Sequence, residues 1–144
     1  MKPTLIINDG GRTQAGYSGK TGDCVCRAIA IASKRPYAEV YDLINQAAKT
    51  ERTGTRKRGR SSARTGVYKS TQHKVIEKLG GKWTPTMTIG SGCKVHLTHS
   101  ELPLSGRYVI SVSKHLCAWI DGELHDTYDC SREGTRCVYG YWKF

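Results

Sequence analysis

The chain has 144 residues, with 23 Lys and Arg against 12 Asp and Glu, and a formal net charge of +11. That length suits one domain, residues 1–144, with a sizeable apolar core, and a 38% hydrophobic content excludes a wholly disordered chain. No apolar run approaches the roughly 18–20 residues of a membrane span. Leu5-Ile6-Ile7 is followed at once by Asn8-Asp9-Gly10-Gly11, which does not fit a secretion leader, so a cytoplasmic protein is expected. In that setting the six cysteines read as free thiols rather than as three bridges.

Asp23 is a suitable N-cap for a helix beginning at Cys24, in which Val25, Ala28, Ile29 and Ala32 recur at helical spacing. Pro36 opens a second helix, with Tyr37, Val40, Tyr41 and Ile44 on one face. Residues 51–69 then set Arg52, Arg56, Lys57, Arg58, Arg60, Arg64 and Lys69 against Glu51 alone, which is +6 of the total charge. The stretch is rich in Gly, Ser and Thr and predicts a mobile, solvated basic loop. Ser70 caps a third helix through Val75, Ile76 and Leu79, stopped by Gly80-Gly81.

The remainder reads as β. Residues 86–89 and 94–97 are weak strand candidates, and 107–112 alternates cleanly. Segments 115–120 and 123–128 flank Asp121-Gly122, a strong type I′ hairpin signal, and 138–142 forms a last strand. Helices followed by an antiparallel sheet make an α+β fold.

The chemistry concentrates at two places. A thiol at Cys24, in the first turn of a helix, faces unpaired N–H groups and the positive end of the dipole, which favours the thiolate. The same N–H groups suit an oxyanion. In the hairpin, a two-residue turn pairs Ile120 with Glu123, Cys117 with Asp126 and His115 with Tyr128. His115 and Asp126 then project to one side, diagonal to each other, so that the carboxylate can hold the imidazole. Asp129 has the wrong parity for that role. Trp119 shares the His115 face, with core packing the expected use.

Cysteine on an N-terminal helix, then histidine and acid on paired strands, resembles the papain-like cysteine peptidases, particularly compact C39-like bacterial and phage members. The chain is also similar to small uncharacterised phage proteins with Gly-Asp-Cys-Val-x-Arg-Ala near the start and His-Asp-Thr-Tyr-Asp near the end. The segments that carry this likeness are 22–28, 85–97 (PTMTIGSGCKVHL) and 106–142, the last with KHLCAWIDGELHDTYDCS and GTRCVYGYW. The resemblance implies a papain-like fold acting on a protein or peptide, without a cofactor, in a host cytoplasm. Cys24 would be the nucleophile, His115 the general base and acid, and Asp126 the orienting residue. One departure stands out. Ser18 occupies the position, about six residues before the cysteine, where that family carries an oxyanion-hole glutamine. Gln14, Ser18 or Thr21 would have to replace it, or the fold serves binding.

Two rivals compete with this reading. Cys93, His96 and His99 form a compact group, but it lacks a paired Cys-x-x-Cys, so no metal is expected. Arg56, Lys57, Arg58, Arg60 and Arg64 could bind the phosphates of a nucleic acid or an acidic partner, although no stacking aromatics interleave them. A catalytically weak papain-like fold binding a host protein or nucleic acid is the resulting alternative.

Overall fold

The computed structural model describes residues 1–52, 59–88 and 90–144. Arg56, Lys57 and Arg58 of the basic stretch, and Ile89, therefore lie outside the described residues. The elements run β1 (Leu5–Ile7), α1 (Cys24–Ser33), α2 (Tyr37–Ala48), α3 (Lys69–Lys78), β2 (Lys82–Pro85), β3 (Arg107–Val112), β4 (His115–Ile120), β5 (Glu123–Asp126) and β6 (Gly140–Lys143). The α+β class holds, and among the described residues no helix is long and apolar enough to cross a membrane.

The three helices form where the apolar spacing placed them, but their starts differ. Asp23 precedes α1 without a side-chain cap bond, because its carboxylate is engaged elsewhere. Pro36 occupies the position before α2 rather than its first turn, and Ser70 lies inside the first turn of α3. Helix α1 buries Val25, Cys26, Arg27, Ala28, Ile29, Ala30 and Ala32, and it ends at Lys34 in the left-handed region (φ 58°). A helix buried nearly all round is a central element, and its alanines let it lie close to β4.

The strands form one six-stranded sheet in the order β1-β5-β4-β3-β6-β2. It is mixed rather than antiparallel throughout, since β1 runs parallel to β5, with Ile7 opposite Asp126. Strands 107–112 and 115–120 match the expectation, whereas the 123–128 strand stops at Asp126 and the last strand starts at Gly140. Residues 86–88 and 94–97 are not strands, and β1 and β2 are additions at the two sheet edges. Asp121 (φ 47°) and Gly122 (φ 81°) both take positive φ, as a type I′ turn requires, and Ile120 pairs with Glu123.

Two apolar cores flank this sheet. One joins α1, α2 and α3 through Ile29, Val40, Ile44 and Ile76 to Val109, Leu116 and Trp142. The other gathers Ile110, Cys117, Trp119 and Leu124 under Leu97, Leu102 and Val138. Trp119 is wholly buried there and donates to the Pro103 carbonyl at 2.8 Å, so it belongs to the core.

Two expectations need correction. The described part of the basic stretch is not a solvated loop throughout. Glu51 accepts from Ser61 and Thr71, the Asn45 side chain accepts from Ala63 N–H at 3.0 Å, and Ser61 and Ala63 are buried. Polar composition concealed this, because the ordering groups are themselves polar. The cysteines are not all free either: Cys93 and Cys137 form a disulfide with a Cα–Cα distance of 5.8 Å. Bridging residues 44 apart restricts the unfolded chain, a stabilisation of about 4 kcal/mol in the chain-entropy account. Alkylation of the denatured protein should accordingly modify four cysteines without reductant and six with it. Six modified without reductant, in protein isolated under air, would contradict the bridge.

Candidate active site

The site is assembled from the start of α1, the end of β5 and the start of β4. At its centre is a charged chain inside the protein. Arg27 is buried, and its guanidinium donates to Asp23 Oδ1 at 2.6 Å and to Asp126 Oδ1 at 2.9 Å. Asp23 Oδ2 accepts from the Tyr37 hydroxyl at 2.7 Å. Asp126 is 1% exposed, takes the Thr127 N–H at 2.7 Å on Oδ1, and meets His115 Nε2 at 2.7 Å through Oδ2. Each buried charge is thus paired and hydrogen-bonded, the condition under which burying it is tolerable.

These contacts set the protonation states. Burial opposes ionisation of Asp126, but the His115 hydrogen bond and charge, the Arg27 charge and the Thr127 N–H together hold its carboxyl below the usual range. Burial would lower the His115 pKa; the Asp126 hydrogen bond, with the Cys130 and Cys24 thiols beside it, raises it to about 12. With Nε2 held by Asp126, the other ring nitrogen is left for a thiol.

Cys24 is half-buried at the first position of α1. Burial raises its pKa, yet the His115 side chain, the Leu116 backbone N–H and the Arg27 charge outweigh that, and the thiol titrates below its ordinary value. The other free thiols are differently placed. Cys26 is fully buried and pushed up to about 12 by burial. Cys117 and Cys130 are buried together, where their mutual hydrogen bond raises the first and lowers the second. Cys130 is also near His115 but is 2% exposed, so no reactant reaches it.

Cys24, Asp23, Arg27 and His115 line a cleft of about 680 Å³, whose far wall is Thr65–Lys69 and Gln72. That wall is stitched to the α1 approach: the Arg64 carbonyl accepts from Gly22 N–H at 2.6 Å and from the Thr21 hydroxyl at 3.0 Å. Gly22 permits the approach, since a Cβ there would lie 3.2 Å from the Thr65 carbonyl oxygen. The N–H groups of Cys24 and Val25 have no intrahelical acceptor, and both residues border the cleft.

The structure thus brings Cys24, His115 and Asp126 together. Gln14 is not with them: it is exposed in a turn fixed by the Asp9 carboxylate, which accepts from Gly11 and Thr13 N–H. Ser18 is likewise outside the cleft, and Thr21 spends its hydroxyl on Arg64. The glutamine in the cleft is Gln72, delivered by α3, whose amide donates to the Val67 carbonyl at 2.9 Å. Arg60 is exposed, Arg64 donates to the Ser18 carbonyl at 3.2 Å, and neither lines the cleft. Asp129 accepts from the Ser131 N–H and hydroxyl and pairs with Lys2. Arg27 and Gln72 escaped the sequence reading. The signal for Arg27 was its place four residues after Asp23 in an otherwise apolar helix. The chain matches no family model, no curated protein and no solved structure.

Two outcomes follow from this network. Arg27→Met would leave two buried carboxylates without their cation and should destabilise the fold by about 3–5 kcal/mol in denaturant melts; a loss below about 1 kcal/mol would contradict its bridging role. The second concerns the imidazole. Because its pKa is raised in the folded state, His115 stays charged through neutral pH and deprotonates only as pH climbs toward its folded value. An NMR titration from about pH 5 to about pH 9 should leave its ring signals at the charged position. In Asp126→Asn the midpoint should fall, as the anion that favours the charged ring is gone. A wild-type midpoint near the ordinary histidine value would contradict the assignment.

Proposed function

We propose that the protein is a thiol hydrolase, a cysteine peptidase or isopeptidase of papain-like type, acting through Cys24, His115 and Asp126. The observation that carries this reading is the 2.7 Å bond from Asp126 to His115 on a ring that also depresses the Cys24 thiol, beside an open cleft. Thiolate and imidazolium together are the resting form that such chemistry needs.

In the first step the Cys24 thiolate attacks the substrate carbonyl, forming the C–S bond as the carbonyl π electrons move to oxygen. The N–H groups at the start of α1 stabilise that oxyanion. Imidazolium gives its proton to the leaving amine as the C–N bond breaks, which leaves a thioester on Cys24. Neutral His115 then takes a proton from water, the hydroxide oxygen attacks the thioester, and thiolate departs while the imidazolium is regenerated. Asp126 keeps the ring oriented in both steps and stabilises its charged form. The resemblance adds a phage origin and a protein or peptide substrate in a host cytoplasm.

Turnover of a fluorogenic peptide library tests this. Cys24→Ala and His115→Ala should each lower the turnover on the order of 10³-fold or more, and acid quenching should trap an acyl group on Cys24 by mass. Turnover that survives in Cys24→Ala would overturn the reading. Absence of turnover with salt-sensitive binding of short DNA or RNA would favour the binding alternative.

A further inference from the structure

We propose that the cleft selects substrates carrying a carboxylate beside the scissile bond, recognised by Lys69 and Lys114. This rests on the thiol-hydrolase reading of the same site.

Among the described residues lining the cleft, Asp23 is the one carboxylate, and it is committed to Arg27 and to the Tyr37 hydroxyl. Arg27 in turn is divided between Asp23 and Asp126, and His115 faces Asp126. With the Cys24 thiolate counted, Asp23, Asp126 and Cys24 set three negative charges against the two positive charges of Arg27 and His115, so each cation of this network is already matched within the protein. Lys69 and Lys114 are different. Both line the cleft, both are exposed, and among the described residues neither forms an ion pair.

Their backbones place both side chains at the cleft. Lys114 is the second residue of the two-residue turn between β3 and β4, held at φ 55°, and it directly precedes His115. Lys69 is the first residue of α3, and its ammonium lies 5.7 Å from the centre of the Tyr139 ring, a contact that locates the charge without neutralising it. Neither α1 nor α3 has an acidic residue in its first turn, and both helix starts border the cleft, so their dipoles add potential of the same sign. Thr65, Thr127 and Tyr128 supply neutral polar groups that do not compete for an anion. The two lysines outweigh the one negative charge that the network leaves at Cys24, and a cleft of net positive charge concentrates anionic ligands and repels cationic ones.

The test compares the alkylation of Cys24 by anionic iodoacetate with that by neutral iodoacetamide, read by peptide mass mapping at low ionic strength. The ratio of the two rates divides out any change in the thiol itself. Lys69→Gln and Lys114→Gln should each lower that ratio by about two- to fivefold, the double variant should lower it further, and added salt should shrink the difference. A ratio unchanged in the double variant overturns the proposal while leaving the nucleophile intact. Failure of Cys24 to react with either reagent overturns the underlying hydrolase reading, and the proposal with it. Among fluorogenic peptides, those cleaved should be enriched in Asp and Glu flanking the cut, and enrichment in Lys or Arg would contradict the assignment.

Discussion

A single guanidinium holds the two halves of the site in register. Arg27 leaves α1 and grips Asp23 beside the helix start and Asp126 at the end of β5. Separated, these groups would be three unpaired charges in an apolar setting, each a severe cost. Joined, they lock the helix that carries the thiol to the strand that carries the carboxylate, and Asp126 passes the constraint to His115. The imidazole therefore sits where it does because of a residue on another element. Asp23 shows the same priority, since it gives up the capping role its position suits in order to bind Arg27 and Tyr37.

That arrangement also separates the four free thiols by environment. Cys26, two residues along the same helix from Cys24, is sealed in the core and pushed toward the protonated form. Cys24 faces the cleft, where an imidazolium and a backbone N–H outweigh its burial. Cys130 shares the histidine but lies behind it, paired with Cys117 in the second core. Reactivity here follows from access and from neighbouring charge together, and Cys24 alone among the described free cysteines combines them.

Much of this was legible in advance where local rules govern. The Asp121-Gly122 turn set the hairpin register, and from that register the His115–Asp126 diagonal followed. The period of Val25, Ala28, Ile29 and Ala32 located α1 and with it the thiol. What escaped depends on contacts between residues far apart in sequence. The β1 strand, three residues long, gains its identity from pairing with β5, more than a hundred residues on, and β2 from pairing with β6. The role of Arg27 depends on Asp126, a partner 99 residues away in sequence. The Cys93–Cys137 bridge and the order of Ser61 and Ala63 likewise rest on partners that no local pattern names.

The central claim is that one thiol, Cys24, is held as the nucleophile by this buried network. Competitive limited alkylation of the native protein at neutral pH, without reductant, tests it most directly when the labelled peptides are ranked by rate. Cys24 should be modified well ahead of Cys26, Cys117 and Cys130, and Arg27→Lys, which retains one cation but not the two-pronged grip, should slow it. Labelling of Cys24 at or below the rate of the other three would contradict the account.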